Sequence, residues 1–206
     1  MSNIKYLSDT NIFIKLYHAY LDSTELCEEY VKKYTLLGFV EPVHHEIKRT
    51  PNVNYDKKAS IIDLYDQLSN QYEIVYISKL DSITKQAYIR EMNNLGYLDY
   101  TGKTKAEDDI GEKATLLISH LLEIPIIHTD DYKFIEYVEE NRNKYPDAEL
   151  ITLNTVLQNL IPEDKKRIKV NRDIEMNDSY YNNKVVEERE MDRKLKQLIN
   201  TYSKSR

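Results

Sequence analysis

Ile124-Pro125-Ile126-Ile127-His128-Thr129-Asp130-Asp131 is a short apolar run, rich in β-branched residues, that stops on two carboxylates. A run of this length reads as a buried strand. Helical patterns lie on both sides of it, from Ile110 to Leu122 and from Tyr132 to Glu140. The unit is therefore helix, strand, acid, helix. The chain opens in the same order: Ile4-Lys5-Tyr6-Leu7 is β-compatible, Asp9-Thr10-Asn11 are residue types favoured as helix N-caps, and Ile12, Leu16, Ala19 and Tyr20 follow at helical spacing.

Between these two units the alternation continues. A helix is expected from Thr24 to Tyr34, a short buried segment at Leu36 to Val40, and a helix entered at Pro42 that carries His44, His45 and Glu46. Next come a helix over Asp56 to Leu68, a strand over Tyr72 to Ile77 and a helix capped by Asp81. The polar loop DYTGKTKAEDD leads into the Ile110 helix. A strand at Ala148 to Thr152 and a helix from Asn154 to Leu160 complete the first part. Strands separated by helices imply an α/β fold with a central parallel sheet between helical layers, in which ligands bind beyond the carboxyl ends of the strands. Asp9 and Asp130-Asp131 stand at that end.

After Pro162 the composition turns polar, so residues 1–162 read as the domain and 163–206 as a helical appendage. Val185, Met191, Leu195, Leu198 and Ile199 could form a narrow stripe that docks on the domain or on a partner. The net charge of −6 is uneven: residues 163–206 carry +3 and residues 1–162 carry −9. Such a balance argues against binding nucleic acid by bulk electrostatics and leaves local basic patches or metal ions to do so. The single cysteine, Cys27, excludes an intramolecular disulfide and a thiolate zinc site, and reads as a buried thiol. No stretch approaches the ~18 apolar residues of a membrane span, and MSNIKYLSDTNIFI lacks the layout of a signal peptide, so a cytoplasmic protein is expected.

Asp9, Glu46, the group Asp108-Asp109-Glu112, and Asp130-Asp131 each bring acid to a strand end or helix start. Gathered carboxylates repel one another and are normally neutralised by cations. Oxygen ligands without cysteine favour Mg²⁺ or Mn²⁺. Such ions activate water against a phosphodiester and stabilise the leaving oxygen, which needs neither a side-chain nucleophile nor a glycine-rich phosphate loop. Each acid also has a plain structural reading: Asp9 as a cap, Glu46 as a solvated residue, Asp108-Asp109 as complements to a helix dipole.

Residues 4 to about 160 resemble the PIN-domain family of metal-dependent nucleases. SDTNIFI is similar to its opening strand ending in Asp-Ser/Thr-Asn, which would make Asp9 a metal ligand supported by Thr10 and Asn11. HHEIKR resembles the second motif, with Glu46 as the second acid. GEKATLLISH looks like the variant in which Gly-Glu begins the penultimate helix, so Glu112 is the third, with Asp108 and Asp109 competing for that role. HTDDYKF is similar to the closing Thr-x-Asp-x-x-Phe, with Thr129, Asp131 and Phe134 in register and Asp130 as an extra ligand or supporting group. The resemblance implies an endoribonuclease. It also implies a homodimer and, as for many small members, a toxin silenced by an antitoxin-like partner. Two rivals stand beside it. One is an inactive RNA-binding or docking module. The other is a haloacid-dehalogenase-type phosphohydrolase, which needs a second Asp where Asn11 stands.

Lys48, Arg49, Lys57, Lys58, Lys103 and Lys105 flank these motifs and are the candidates for phosphate contacts. His44, His45 and His128 invite a mixed metal site, but adjacent helix residues point about 100° apart, so His44 and His45 cannot both face where Glu46 faces. The 18 tyrosines, with no Trp and 3 Phe, must largely serve the core.

Overall fold

A computed structural model describes residues 3–51, 58–104 and 107–203. Its strands are β1 (Tyr6–Ser8), β2 (Leu37–Val40), β3 (Glu73–Val75), β4 (Ile126–His128) and β5 (Glu149–Ile151). The helices are α1 (Thr10–His18), α2 (Glu25–Lys33), α3 (Glu41–Arg49), α4 (Ile61–Gln67), α5 (Ser82–Asn94), α6 (Ile110–Leu121), α7 (Tyr132–Glu140), α8 (Leu153–Leu160) and α9 (Asp164–Ser203). All strand pairs are parallel, in the order β3-β2-β1-β4-β5. The expected α/β fold with a parallel sheet is therefore present. No helix among the described residues is long and apolar enough to cross a membrane.

Side chains alternate across the sheet, as the two-residue period of a strand requires, and they divide the interior in two. Leu37 and Phe39 join one core with residues of α1, α2, α4 and α8. Leu7, Val40, Val75 and Ile127 join the other, with residues of α5, α6 and α7. The first core is aromatic: Phe13, Phe39, Tyr65 and Tyr72 meet edge to face or stacked, with centroids 4.7 to 6.2 Å apart. Tyr17, Tyr30, Tyr65, Tyr88 and Tyr145 are fully buried, in keeping with a core role for tyrosine. Gly38 is needed in β2, since a Cβ there would lie 2.9 Å from Ile4.

The helix expected from Asp56 begins instead at Ile61, because Ser60 caps it: its Oγ accepts the Asp63 amide at 3.1 Å. The strand expected through Ile77 ends at Val75 and passes into a 3₁₀ turn over Ile77–Lys79.

The polar tail is one helix, and the residues that dock it lie upstream of the expected stripe. Val170 and Ile174 are buried in the aromatic core. Asn177 Nδ2 donates to the His18 carbonyl at 2.6 Å, and Asp178 meets His18 Nδ1 at 3.0 Å. Met191 is exposed, and the side chains of Val185, Leu195, Leu198 and Ile199 lie outside the described residues. Ile174→Ala is expected to destabilise the protein by about 2–4 kcal/mol in urea unfolding. Met176→Ala, on the exposed side, is expected to stay within about 0.5 kcal/mol.

Candidate functional site

The strand order reverses at β1, with β2 and β3 on one side and β4 and β5 on the other. The crevice beyond the carboxyl ends of β1 and β4 is the place where such sheets bind ligands. Asp9 leaves β1 and is 2% exposed. Its amide donates to the His128 carbonyl at 2.9 Å. Its Oδ1 accepts the Thr10 amide at 2.7 Å, and its Oδ2 accepts Asn11 Nδ2 and Thr129 Oγ1, both at 3.3 Å. The Thr129 hydroxyl in turn accepts the Asp131 amide at 3.2 Å, and Asp131 Oδ1 caps α7 through the Phe134 amide at 2.9 Å. The supporting roles expected of Thr10, Asn11 and Thr129 correspond to these contacts.

Glu46 arrives from α3. Thr10 Oγ1 donates to its Oε2 at 2.6 Å, so consecutive residues of one segment hold the first two acids. On its other side lies Gly111, where a Cβ would stand 2.6 to 2.9 Å from the carboxylate. Only glycine lets α6 come this close, and the Gly111 amide stabilises the Glu46 charge. One residue on, Glu112 lies in the first turn of α6. Asp109 precedes α6 in the left-handed region, at φ 60 and ψ 10, and its side chain caps nothing. That conformation, rare outside glycine but tolerated by Asp, is a mark of functional loops.

The electrostatics bind these residues into one group. Burial, then the charges of Glu46 and Asp131, raise Asp9 from 3.8 to about 7. Burial, then Asp9, Asp131, Asp109 and Glu46, raise Glu112 from 4.5 to about 8. Glu46 is also raised, by burial and by Asp109, against the pull of Thr10, Gly111 and Arg49. Among the three rivals for the third position, Glu112 is the one that feels all the other acids. Asp109 stands at the rim and Asp108 is exposed. Among the described residues, no three His, Cys, Asp or Glu side chains are drawn close enough to enclose an ion as they stand. The oxygen donors suit a hard cation, and the Glu112 side chain forms no hydrogen bond among the described residues.

Several expected participants are placed elsewhere. Asp130, expected as an extra ligand or a supporting group, bonds Lys15 Nζ at 2.6 Å and the Leu153 amide at 3.3 Å, and so ties α1 to α8. Lys48 is paired with Asp66 at 2.5 Å. Lys58 donates to the Tyr17 and Tyr20 carbonyls at the end of α1, so it is a helix cap and not a phosphate contact. Arg49 and Lys103 stay at the rim, where their charges act on Glu46 and His45. Lys57 and Lys105 lie outside the described residues.

His128 faces the aromatic core. Its Nδ1 is 2.7 Å from Tyr30 Oη, which donates to Ser8 Oγ at 3.0 Å, which donates to the Asp9 carbonyl at 3.1 Å. Burial lowers His128 to about 4 and keeps it neutral. His44 meets Tyr65 Oη at 3.2 Å, and His45 lies 3.8 Å from Glu41. None of the three joins the acids.

Sequence reasoning took Gly111 only as part of the Gly-Glu that begins a helix, and gave it no role of its own beside Glu46. It missed Lys113, whose ammonium sits 3.0 Å from the Tyr137 ring centroid and feels the charges of Glu112, Asp109 and Asp131. Tyr97 is another, donating to the Asp108 carbonyl at 3.1 Å. No local pattern marks these two.

The pKa shifts set a sign for stability against pH. Asp9 and Glu112 hold their protons to about 7 and 8 in the folded protein and release them near 4 when unfolded, so their contribution falls as pH rises between those values. His128, lowered from 6.5 to about 4, acts oppositely, but only below 6.5. With a chelator present, the melting temperature is expected to fall between pH 6.5 and 8, and Glu112→Gln is expected to flatten that fall. Gly111→Ala is expected to displace Glu46 and destabilise the protein by about 1–3 kcal/mol in urea unfolding. In comparisons with family models, curated proteins and solved structures, nothing matched the chain, so its function rests on the chemistry of these residues.

Proposed function

We propose that this protein is a metal-dependent endoribonuclease with a PIN-type arrangement of acids, in which Asp9, Glu46, Glu112 and Asp131 hold Mg²⁺ or Mn²⁺. The observation that carries this reading is the convergence of four acids, from four separate segments, at the sheet's switch point, where the proton affinities of Asp9, Glu46 and Glu112 are raised by burial and by neighbouring acids. Capping α1 and α7 accounts for Asp9 and Asp131 singly but not for gathering Glu46 and Glu112 beside them. Removing water from a carboxylate costs several kcal/mol, and like charges add to that cost. A divalent cation offsets both effects.

When bound, such an ion lowers the pKa of water and stabilises charge on a phosphodiester oxygen. The chain's own residues set the geometry. Thr10, Asn11 and Thr129 fix the direction of the Asp9 carboxylate, and Thr10 also fixes Glu46. Asp131 is held by its own cap on α7. Glu112, for which no side-chain hydrogen bond is formed among the described residues, would supply the remaining carboxylate. Arg49, whose charge acts on Glu46, and Lys103, whose charge acts on His45, are the candidates to meet an anionic chain. On this reading an inhibitory partner would act by covering the same face.

Purified protein with Mg²⁺ or Mn²⁺ is expected to cut single-stranded RNA, and EDTA to stop it. Asp9→Asn and Asp131→Asn are each expected to lower cleavage by at least about a hundredfold with an unchanged circular dichroism spectrum. RNA binding without cleavage at any metal concentration would favour the non-catalytic module. Cleavage unaffected by EDTA and by both substitutions would overturn the proposal.

A further inference from the structure

Lys113 is a cation beside the acidic group, and among the described residues it forms no salt bridge. It follows Glu112 on α6 and is partly exposed. Its ammonium lies against the face of Tyr137, on α7, at 3.0 Å from the ring centroid. Among the described residues it pairs with no carboxylate, although Glu112, Asp109 and Asp131 all act on its charge. Three other lysines weighed as cations for this site or paired with its acids are engaged elsewhere. Lys15 is bonded to Asp130, Lys48 to Asp66 and Lys58 to two carbonyls.

An ammonium has three donors, and a ring face engages the charge without accepting them in the manner of a carboxylate oxygen. Tyr137 therefore limits where the Lys113 ammonium can go while leaving N–H groups for an acceptor. The two helices that carry the pair also carry two of the four acids, Glu112 on α6 and Asp131 at the start of α7. An anion drawn to those acids by a bound cation would meet the charge of Lys113, on which Glu112, Asp109 and Asp131 already act.

We propose that Lys113, held by Tyr137, is a phosphate-binding residue that positions the RNA backbone beside the four carboxylates. This inference rests on the ribonuclease reading for its ligand, but not on cleavage for its test. Electrostatic attraction to a single-stranded backbone weakens with salt, with a slope of about 0.7 per phosphate contacted. Removing one contact lowers that slope by the same amount.

The test uses the full chain carrying Asp9→Asn, so that RNA stays intact, and a fluorescein-labelled single-stranded RNA of mixed sequence, with anisotropy read over a series of salt concentrations. Adding Lys113→Gln is expected to weaken binding about tenfold at low salt and to lower the salt slope by about 0.7. Lys113→Arg is expected to recover most of the affinity. In the chain with Asp9 intact, Lys113→Gln is expected to raise KM more than it lowers kcat. Equal affinity and equal slope in the Lys113→Gln chain would overturn the inference, and would leave Lys113 as a counter-charge visible only as lost stability above pH 7. If the unaltered protein binds RNA without cutting it, the nuclease reading fails and the slope still decides for or against Lys113. If it does not bind RNA at all, both fail.

Discussion

Carboxylates repel one another most strongly where water is scarce, and the carboxyl end of this sheet is organised around that repulsion. Asp9 is almost entirely out of solvent. Its charge is supported by one backbone amide, one side-chain amide and one hydroxyl, and still its proton affinity is raised. Hydrogen bonds to an ionised carboxyl lower its pKa, whereas burial and neighbouring acids raise it. Here the second pair of effects wins, and it wins at Glu46 and Glu112 as well. Such a group keeps protons that isolated carboxyls would have lost.

The fold supplies the rigidity that such a group requires. A parallel sheet must return each strand through a crossover, so every strand end is followed by a helix start. Asp9 and Asp131 cap α1 and α7 directly, at the positive ends of helix dipoles. Glu46 and Glu112 come from α3 and α6, which touch so closely that a methyl group at Gly111 would not fit. Behind the site, the chain from His128 through Tyr30 and Ser8 ends on the Asp9 carbonyl. Asp9 is thus fixed by its backbone from the core side and by its carboxylate from the solvent side.

The acids that remain outside have structural work. Asp130 differs from Asp131 by one position, and a strand end sends adjacent residues in different directions. One carboxylate joins the group while the other meets Lys15 and the start of α8. Such a neighbour keeps α1 and α8 in register beside the site.

Taken alone, the sequence determined the order of strands and helices, because apolar periodicity and capping residues are local signals: Ile126–His128, Tyr6–Ser8 and the helices around them are where the pattern put them. Position after a strand pointed to Asp9 and to the pair Asp130-Asp131. Tertiary structure decided the rest. Whether Asp130 faces a lysine, whether Lys48 is paired and whether Lys58 caps a helix depend on Lys15, Asp66 and the α1 carbonyls, which are tens of residues or more away in the chain. The choice among Asp108, Asp109 and Glu112 is of the same kind. All three are acids at one helix start, and only the burial and field created by Asp9, Glu46 and Asp131 distinguish Glu112. Charge acts through space and solvent, so residue type along the chain cannot foretell it.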